Sequence, residues 1–165
     1  MKKNDTTKRK NTQLDKIDKK ILNILQQDAN KSLEEISKEL KMSKSAIHYR
    51  IKRMQERGII QKFMALVDPL KVGCDILAIS MIRAKFGPGY QKKVGEKLSK
   101  IKGVWAVYFL LGDIDFVVLI RAKNREDLQR IINEFISTPE IERSSTHIIL
   151  ERIKEDPMVE LTEID

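Results

Sequence analysis

The chain has 165 residues, of which 41% are hydrophobic and 34% are charged, and its net charge is +8. This composition excludes a disordered chain, and no apolar run approaches the roughly 18 residues that a membrane span needs. The polar N-terminal residues lack the apolar core of a secretory signal, and one cysteine excludes an intrachain disulfide, so we expect a cytoplasmic protein with no membrane partner.

The charge is concentrated in the first third of the chain. Residues 1–62 hold 17 Lys and Arg against 8 Asp and Glu, a net charge of +9, while residues 63–165 hold 15 basic and 16 acidic residues, a net charge of −1. A basic segment joined to a neutral one is typical of polyanion-binding proteins. Residues 1–13 have no apolar periodicity and form a predicted flexible basic tail, which either contacts phosphates or is simply solvated.

Three helices are predicted after this tail. Apolar residues recur at helical spacing from Asp15 to about Asn30. Ser32 and Glu35 have the spacing of a capping box and begin a second, short helix. After a tight connection, Ser43 caps a third helix that runs to Arg57 and ends at Gly58. This order is a helix-turn-helix.

The third helix has two different faces. Ile47, Ile51 and Met54 would pack on the first two helices, while the other face is polar and basic. Such a helix fits the major groove of double-stranded DNA. The alternative is an amphipathic surface helix with a solvated charged face. The predicted DNA-binding residues are Ser43, Lys44, Ser45, His48, Tyr49, Arg50, Lys52 and Arg53.

The segment IIQKFMALVDP after Gly58 mixes apolar and polar residues without helical period, and we predict a strand or hairpin wing there. Asp68-Pro69 breaks this pattern. We therefore expect a winged helix-turn-helix domain at 14–68 and a linker at 69–73.

The remaining sequence alternates strand and helix patterns in the order β-α-β-β-α-β, which is the ferredoxin-like order. We place this domain at 74–155 and a C-terminal tail at 156–165, so the fold class is α+β. The predicted strands cover 74–86, 104–111, 115–122 and 143–153, and the predicted helices cover 90–101 and 124–136.

Both alternating residue sets are apolar in the segments VWAVYFLL and FVVLI. A ferredoxin-like sheet carries its helices on one face, so an exposed second face should show polar residues at alternate positions. We therefore predict that a second copy of the chain covers this face in a homodimer. Cover by the chain's own tail at 156–165 is the alternative.

Three stretches resemble the Lrp/AsnC family of leucine-responsive, or feast/famine, transcriptional regulators. They are LDKIDKKILNILQQDANKSLEEISKEL with SKSAIHYRIKRMQERGII, the hinge VDPLKVG, and GVWAVYFLLGDIDFVV with the strand ERSSTHIIL. The likeness covers nearly all of residues 14–155. It implies a sequence-specific DNA-binding regulator, dimers that assemble further into tetramers or octamers, and a small effector, often an amino acid.

The resemblance also implies effector contacts at the turn G-D-x-D and at the start of the last strand. A carboxylate can bind an amino acid's ammonium group in a charge-assisted hydrogen bond, and hydroxyls two residues apart share one strand face. Without the resemblance, a hairpin turn and a solvated strand face would explain these residues. The predicted effector-binding residues are Tyr108, Gly112, Asp113, Asp115, Ser144 and Thr146.

Two other functions compete with this one. The carboxylates of Asp113 and Asp115 could serve acid/base or Mg²⁺ chemistry, but no nucleophile–base pair accompanies them. A DNA-architectural protein without an effector would keep the basic helix. His48, His147 and Cys74 lie far apart in sequence, so we predict no metal site and no cofactor. A two-fold dimer predicts a pseudo-palindromic operator.

Overall fold

A computed structural model describes residues 14–161. Within that range the chain divides into two compact units. The helical unit comprises residues 14–65 together with 156–161, and the sheet unit comprises residues 66–155.

The helical unit contains the three predicted helices, α1 (Lys16–Gln27), α2 (Leu33–Leu40) and α3 (Lys44–Glu56). The predicted capping box of Ser32 and Glu35 is present, and Ser43 caps α3 by accepting a hydrogen bond from the Ala46 N–H. Asp15 and Asp18 form a further capping box at the start of α1, which the sequence analysis did not identify. The beginnings of all three helices are thus set by side chains a few residues away.

An apolar core joins α1, α2 and α3. It is formed by Ile21, Leu22, Ile24, Ile36, Ile47 and Met54. The C-terminal segment at 156–161 belongs to the same unit, because the Gln26 amide exchanges hydrogen bonds of 2.7 and 3.1 Å with the Val159 backbone. Leu161 also packs on this core. The described part of the tail therefore contacts α1 rather than acting as the cover of the sheet that we considered above.

The predicted wing is not formed within the described residues. Ile59 and Ile60 donate backbone hydrogen bonds to the Met54 carbonyl, and the segment 61–68 contains neither helix nor strand. A strand needs a neighbour for its backbone hydrogen bonds, and no described segment supplies one. Phe63 and Leu66 consequently remain exposed. The prediction of a strand or hairpin at this position was wrong for the single chain.

The sheet unit has the predicted ferredoxin-like topology. After a 3₁₀ turn at Leu70–Val72, its four antiparallel strands lie in the order β2-β3-β1-β4. Each strand is shorter than the stretch that predicted it, and the last strand begins two residues earlier than predicted. The elements are β1 (Ile76–Ala84), α4 (Tyr90–Leu98), β2 (Val104–Phe109), β3 (Phe116–Ala122), α5 (Arg125–Ile136) and β4 (Ile141–Ile148).

The two helices pack on one face of this sheet. The core between them contains even-numbered residues of β1 and β3, such as Ala78, Ile82, Val118 and Ile120, all of which are buried. The odd-numbered residues of these strands point to the opposite side, which we call the open face. The open face carries Ile79, Met81, Trp105, Tyr108, Val117, Leu119 and Arg121 along its middle.

Candidate functional site

A buried carboxylate holds α3 against α1. Asp18 is 1% exposed, and its Oδ1 accepts a hydrogen bond of 2.7 Å from Arg50 Nη1. The same nitrogen donates to Asp15 Oδ2 at 2.5 Å. Hydrogen bonds to Asp15 and then to Asp18 raise the pKa of the Arg50 guanidinium above its ordinary value. Arg50 therefore joins two helices, and a DNA contact by this residue would require its guanidinium to exchange carboxylates for a phosphate.

Two further predicted contacts have partners inside the helical unit. Ser43 uses its hydroxyl as the cap of α3. Lys44 donates a hydrogen bond of 2.8 Å to Glu34 on α2, and this bond, followed by that from Lys38, lowers the pKa of the Glu34 carboxyl. Arg53 lies 3.9 Å from Asp18 and is partly exposed.

The outward face of α3 is formed by the remaining predicted residues. Ser45, His48, Tyr49 and Lys52 are exposed, and the Tyr49 side chain is 64% exposed although it is aromatic. Lys52 has one loose ion pair with Glu56 at 4.0 Å. A hydroxyl, an imidazole and an ammonium can all bind base edges or phosphates. This face is therefore chemically suited to a polyanion.

A pocket lies at the end of the sheet where β1 ends and β4 begins. Its volume is about 290 Å³, and it is lined by Met81, Arg83, Asp113, Ile114, Arg143 and Ser145. Arg83 and Arg143 are register partners on adjacent strands. The turn between β2 and β3 brings Asp113 to the same place. Opposite charges therefore surround one small cavity.

Asp115 does not belong to this pocket, although we predicted it as an effector contact. It is 8% exposed, and its carboxylate accepts hydrogen bonds from the Ala84 N–H at 2.8 Å and the Tyr90 hydroxyl at 2.9 Å. Burial raises the pKa of the Tyr90 hydroxyl, and the hydrogen bond from this hydroxyl to Asp115 raises it further. Asp115 thus ties the β2–β3 turn to β1 and α4.

Ser144 and Thr146 share one strand face, as predicted, but it is the face that carries the helices. Ser144 pairs with the buried Ile82, and the Thr146 hydroxyl is hydrogen-bonded to that of the buried Ser80 at 2.8 Å. The structure therefore does not bring them together with Asp113, because the intervening Ser145 lines the pocket. Within the predicted set, Tyr108 is exposed on the open face and Gly112 lies in the turn beside Asp113.

The sequence analysis missed both arginines of the pocket. The signal for Arg143 would have been the parity of β4, because Arg143 and Ser145 alternate with the predicted residues Ser144 and Thr146. Arg83 lies on β1, and only the pairing of β1 with β4 places it beside Arg143. Among residues 14–161 there is no group of three or more His, Cys, Asp or Glu side chains placed to hold a metal ion. No helix in that range combines the length and hydrophobicity of a membrane span.

Two family models match the chain. Residues 14–61 match the model of a winged helix-turn-helix DNA-binding domain. Residues 77–159 match the model of the Lrp/AsnC ligand binding domain. The match boundaries fall within the two predicted domains, apart from the last few residues of the second.

Curated relatives cover most of the chain. The HTH-type transcriptional regulator FL11 of Pyrococcus furiosus is 44% identical over 142 residues, which are 86% of this chain and 93% of the relative. Its namesake in Pyrococcus horikoshii is 41% identical over the same shares of both chains. Both relatives are named as regulators of transcription, so the similarity supports a role in regulation.

Solved structures have the same architecture. An AsnC family transcriptional regulator from Agrobacterium tumefaciens aligns with a TM-score of 0.82 at 28% identity, covering 90% of this chain and 97% of that one. A transcriptional regulator from Neisseria meningitidis, solved as a complex with L-Met, aligns with a TM-score of 0.83 over the same shares. At 21% identity the second likeness shows the fold alone.

Proposed function

Because the chain belongs to the Lrp/AsnC family of DNA-binding transcriptional regulators, we propose that α3 enters the major groove of its operator with Ser45, His48, Tyr49 and Lys52 leading. The observation that carries this proposal is the exposure of these four side chains on a helix whose other side is fixed to α1 and α2. A helix held from behind can present base-reading groups in one orientation.

The contacts of the α3 side chains indicate which of them can bind phosphate, which can bind bases and which support the helix. Lys52 has only a weak exposed ion pair to exchange for a phosphate, whereas Arg50 would have to leave two carboxylates. We therefore assign phosphate contact to Lys52 and a supporting role to Arg50. Ser45 and His48, close to the N-terminus of the helix, are placed for base contacts.

The test is the salt dependence of DNA binding. Replacing Lys52 with Ala should weaken binding to every duplex and reduce the slope of log K against log salt by about 0.9, the value for one lost phosphate contact. The matched control is Lys92→Ala, because Lys92 has an equally loose i,i+4 pair with Glu96 at 3.9 Å but lies on α4. An unchanged slope in Lys52→Ala would remove this residue from the interface.

We further propose that a small effector, an amino acid, binds the sheet unit and alters DNA affinity or assembly. The support is the match of residues 77–159 to a ligand-binding domain and the pocket of opposite charges at Asp113 and the two arginines. Calorimetric titration of the twenty amino acids should identify at least one that binds. If none binds, a DNA-architectural role without an effector is the better description.

A second copy of the chain is the proposed cover of the open face. Trp105 and Tyr108 are 45% and 54% exposed there, beside the strand residues Ile79 and Leu119. A homodimer through this face predicts a pseudo-palindromic operator with half-sites about one helical turn apart. Such dimers could assemble further into tetramers or octamers. We propose a binding role in the cytoplasm rather than an enzymatic one, since the named relatives are regulators.

A further inference from the structure

The charges around the pocket specify more than the class of effector. In the described part of the chain, the Asp113 carboxylate has no hydrogen bond or ion pair, and the Arg143 guanidinium has none either. Arg83 has one ion pair, with Glu142 at 3.9 Å, and both of these side chains are more than half exposed. Such a long, exposed pair contributes little and is easily exchanged. In the single chain, three charged groups thus face one cavity without strong partners.

We infer that this pocket selects an acidic amino acid, aspartate or glutamate, as the effector, an inference that rests on the effector proposed above. Two guanidinium groups and one carboxylate line the cavity. An acidic amino acid carries the complementary set, two carboxylates and one ammonium. Arginine binds a carboxylate through two parallel hydrogen bonds, and Asp113 would accept those of the ammonium.

Other amino acids match this set less well. A neutral amino acid would leave one arginine without a new partner. A basic side chain would place another cation beside Arg83 and Arg143, where like charges repel. The cavity of about 290 Å³ lies just below the usual range for ligand pockets, roughly 300–1,000 Å³, and so suits a small ligand of amino-acid size. The Ser145 hydroxyl, which lies 3.1 Å from His147 Nε2, can donate its one proton to a carboxylate in exchange for that contact.

The inference is tested by calorimetric titration of the full-length protein with each acid and its amide. Aspartate should bind at least about tenfold more tightly than asparagine, or glutamate than glutamine, because the amide replaces one charge-assisted pair. Lysine should bind more weakly still. An amide or lysine that binds as tightly as the acids would overturn the inference while leaving an amino-acid effector in place. If no amino acid binds, both proposals fail.

Substitutions then test which part of the ligand each charged side chain binds. One of the variants Arg83→Met and Arg143→Met should lose the contact with the main-chain carboxylate, so its affinity for acid and amide should fall alike. The other should lose the contact with the side-chain carboxylate, so its preference for the acid should disappear. Asp113→Asn should weaken binding of the amino acid but not that of succinate, which has no ammonium. Arg125→Met on α5 is the matched control and should change nothing. If both arginine variants kept the same preference for the acid over the amide, the inference would be overturned. Unchanged melting temperatures without ligand would show that the variants fold.

Discussion

The exposed face of α3 and the open face of the sheet differ in composition, in charge and in what supports them. The α3 face is polar, and its segment of the chain, residues 1–62, carries a net charge of +9. The open face is largely apolar, with Trp105 and Leu119 among its members, and residues 63–165 carry a net charge of −1. Because an apolar face is stabilised by exclusion of water and a basic one by counterion release, the two faces suit different partners.

The support behind each face differs as well. Behind α3 lies a carboxylate that is 1% exposed and bonded to arginine, whereas behind the open face lies an apolar core. The position of α3 thus depends on a buried ion pair in addition to its apolar contacts with α1 and α2, while the open face is supported by apolar contacts between the sheet and its helices. Substitutions in the two regions should consequently fail in different ways.

The largest effect should come from a charge on the open face. Leu119→Glu would bury an unpaired carboxylate against the second copy, so the dimer dissociation constant should rise at least a hundredfold. Light scattering with size-exclusion chromatography measures this change. Gln91→Glu, on the exposed side of α4, is the control and should remain dimeric. A Leu119→Glu variant that stays dimeric would move the interface elsewhere.

Loss of the arginine behind α3 should come next. Arg50→Ala leaves Asp18 buried without its closest cation, and removing one member of a buried pair costs about 3 kcal/mol. Urea unfolding, monitored by the circular dichroism signal of the helices, should show this loss of stability. Adding Asp18→Asn removes the unpaired carboxylate charge and should restore part of the stability.

The control for this variant is Arg57→Ala at the exposed end of α3, which should be nearly neutral. If Arg50→Ala were as stable as Arg57→Ala and instead flattened the salt dependence of DNA binding, Arg50 would be a phosphate contact after all.

Base contacts should have smaller effects that are confined to specificity. Ser45→Ala or His48→Ala should each reduce the preference for the operator over a random duplex by about 1–3 kcal/mol if a base contact is lost. Competition binding measures the ratio of the two affinities. Ser43→Ala provides the contrast, because loss of the cap should destabilise α3 by about 1 kcal/mol and leave that ratio unchanged. Equal losses on both duplexes would argue against base recognition by Ser45 and His48.

The smallest effect should be a pH dependence in the sheet unit. Hydrogen bonds from Lys97 and Lys93 lower the pKa of Glu140 to about 2. Because the pKa in the folded chain lies below that of the unfolded chain, the contribution of Glu140 is present above about pH 4.5 and is lost as the pH falls toward 2. Glu140→Gln should therefore differ from the wild type at pH 7 and converge with it near pH 2 in urea unfolding.

The control here is Glu96→Gln, which removes an exposed pair of 3.9 Å and should show little difference at any pH. A Glu140→Gln variant that kept its full difference at pH 2 would show that packing, rather than charge, explains the contribution of Glu140.

The predictions from sequence were most accurate where neighbouring residues decide the structure. Ser32 and Ser43 were predicted as helix caps, and each accepts the expected backbone hydrogen bond. Predictions failed where a distant partner decides. The segment 61–68 has strand-like composition but no strand to pair with among the described residues, and the motif G-D-x-D gave no sign that Asp115 would accept a hydrogen bond from Tyr90.

The sequence by itself determined the order of helices and strands, the fold class and the basic character of α3, because caps, periodicity and charge act within a few residues of the chain. Tertiary structure alone decided which side of each element faces which neighbour. The register between β1 and β4 turns Ser144 and Thr146 toward the helices and Arg143 and Ser145 toward the pocket. Period-two alternation predicts that two sets exist, but only packing against other elements determines which set is buried.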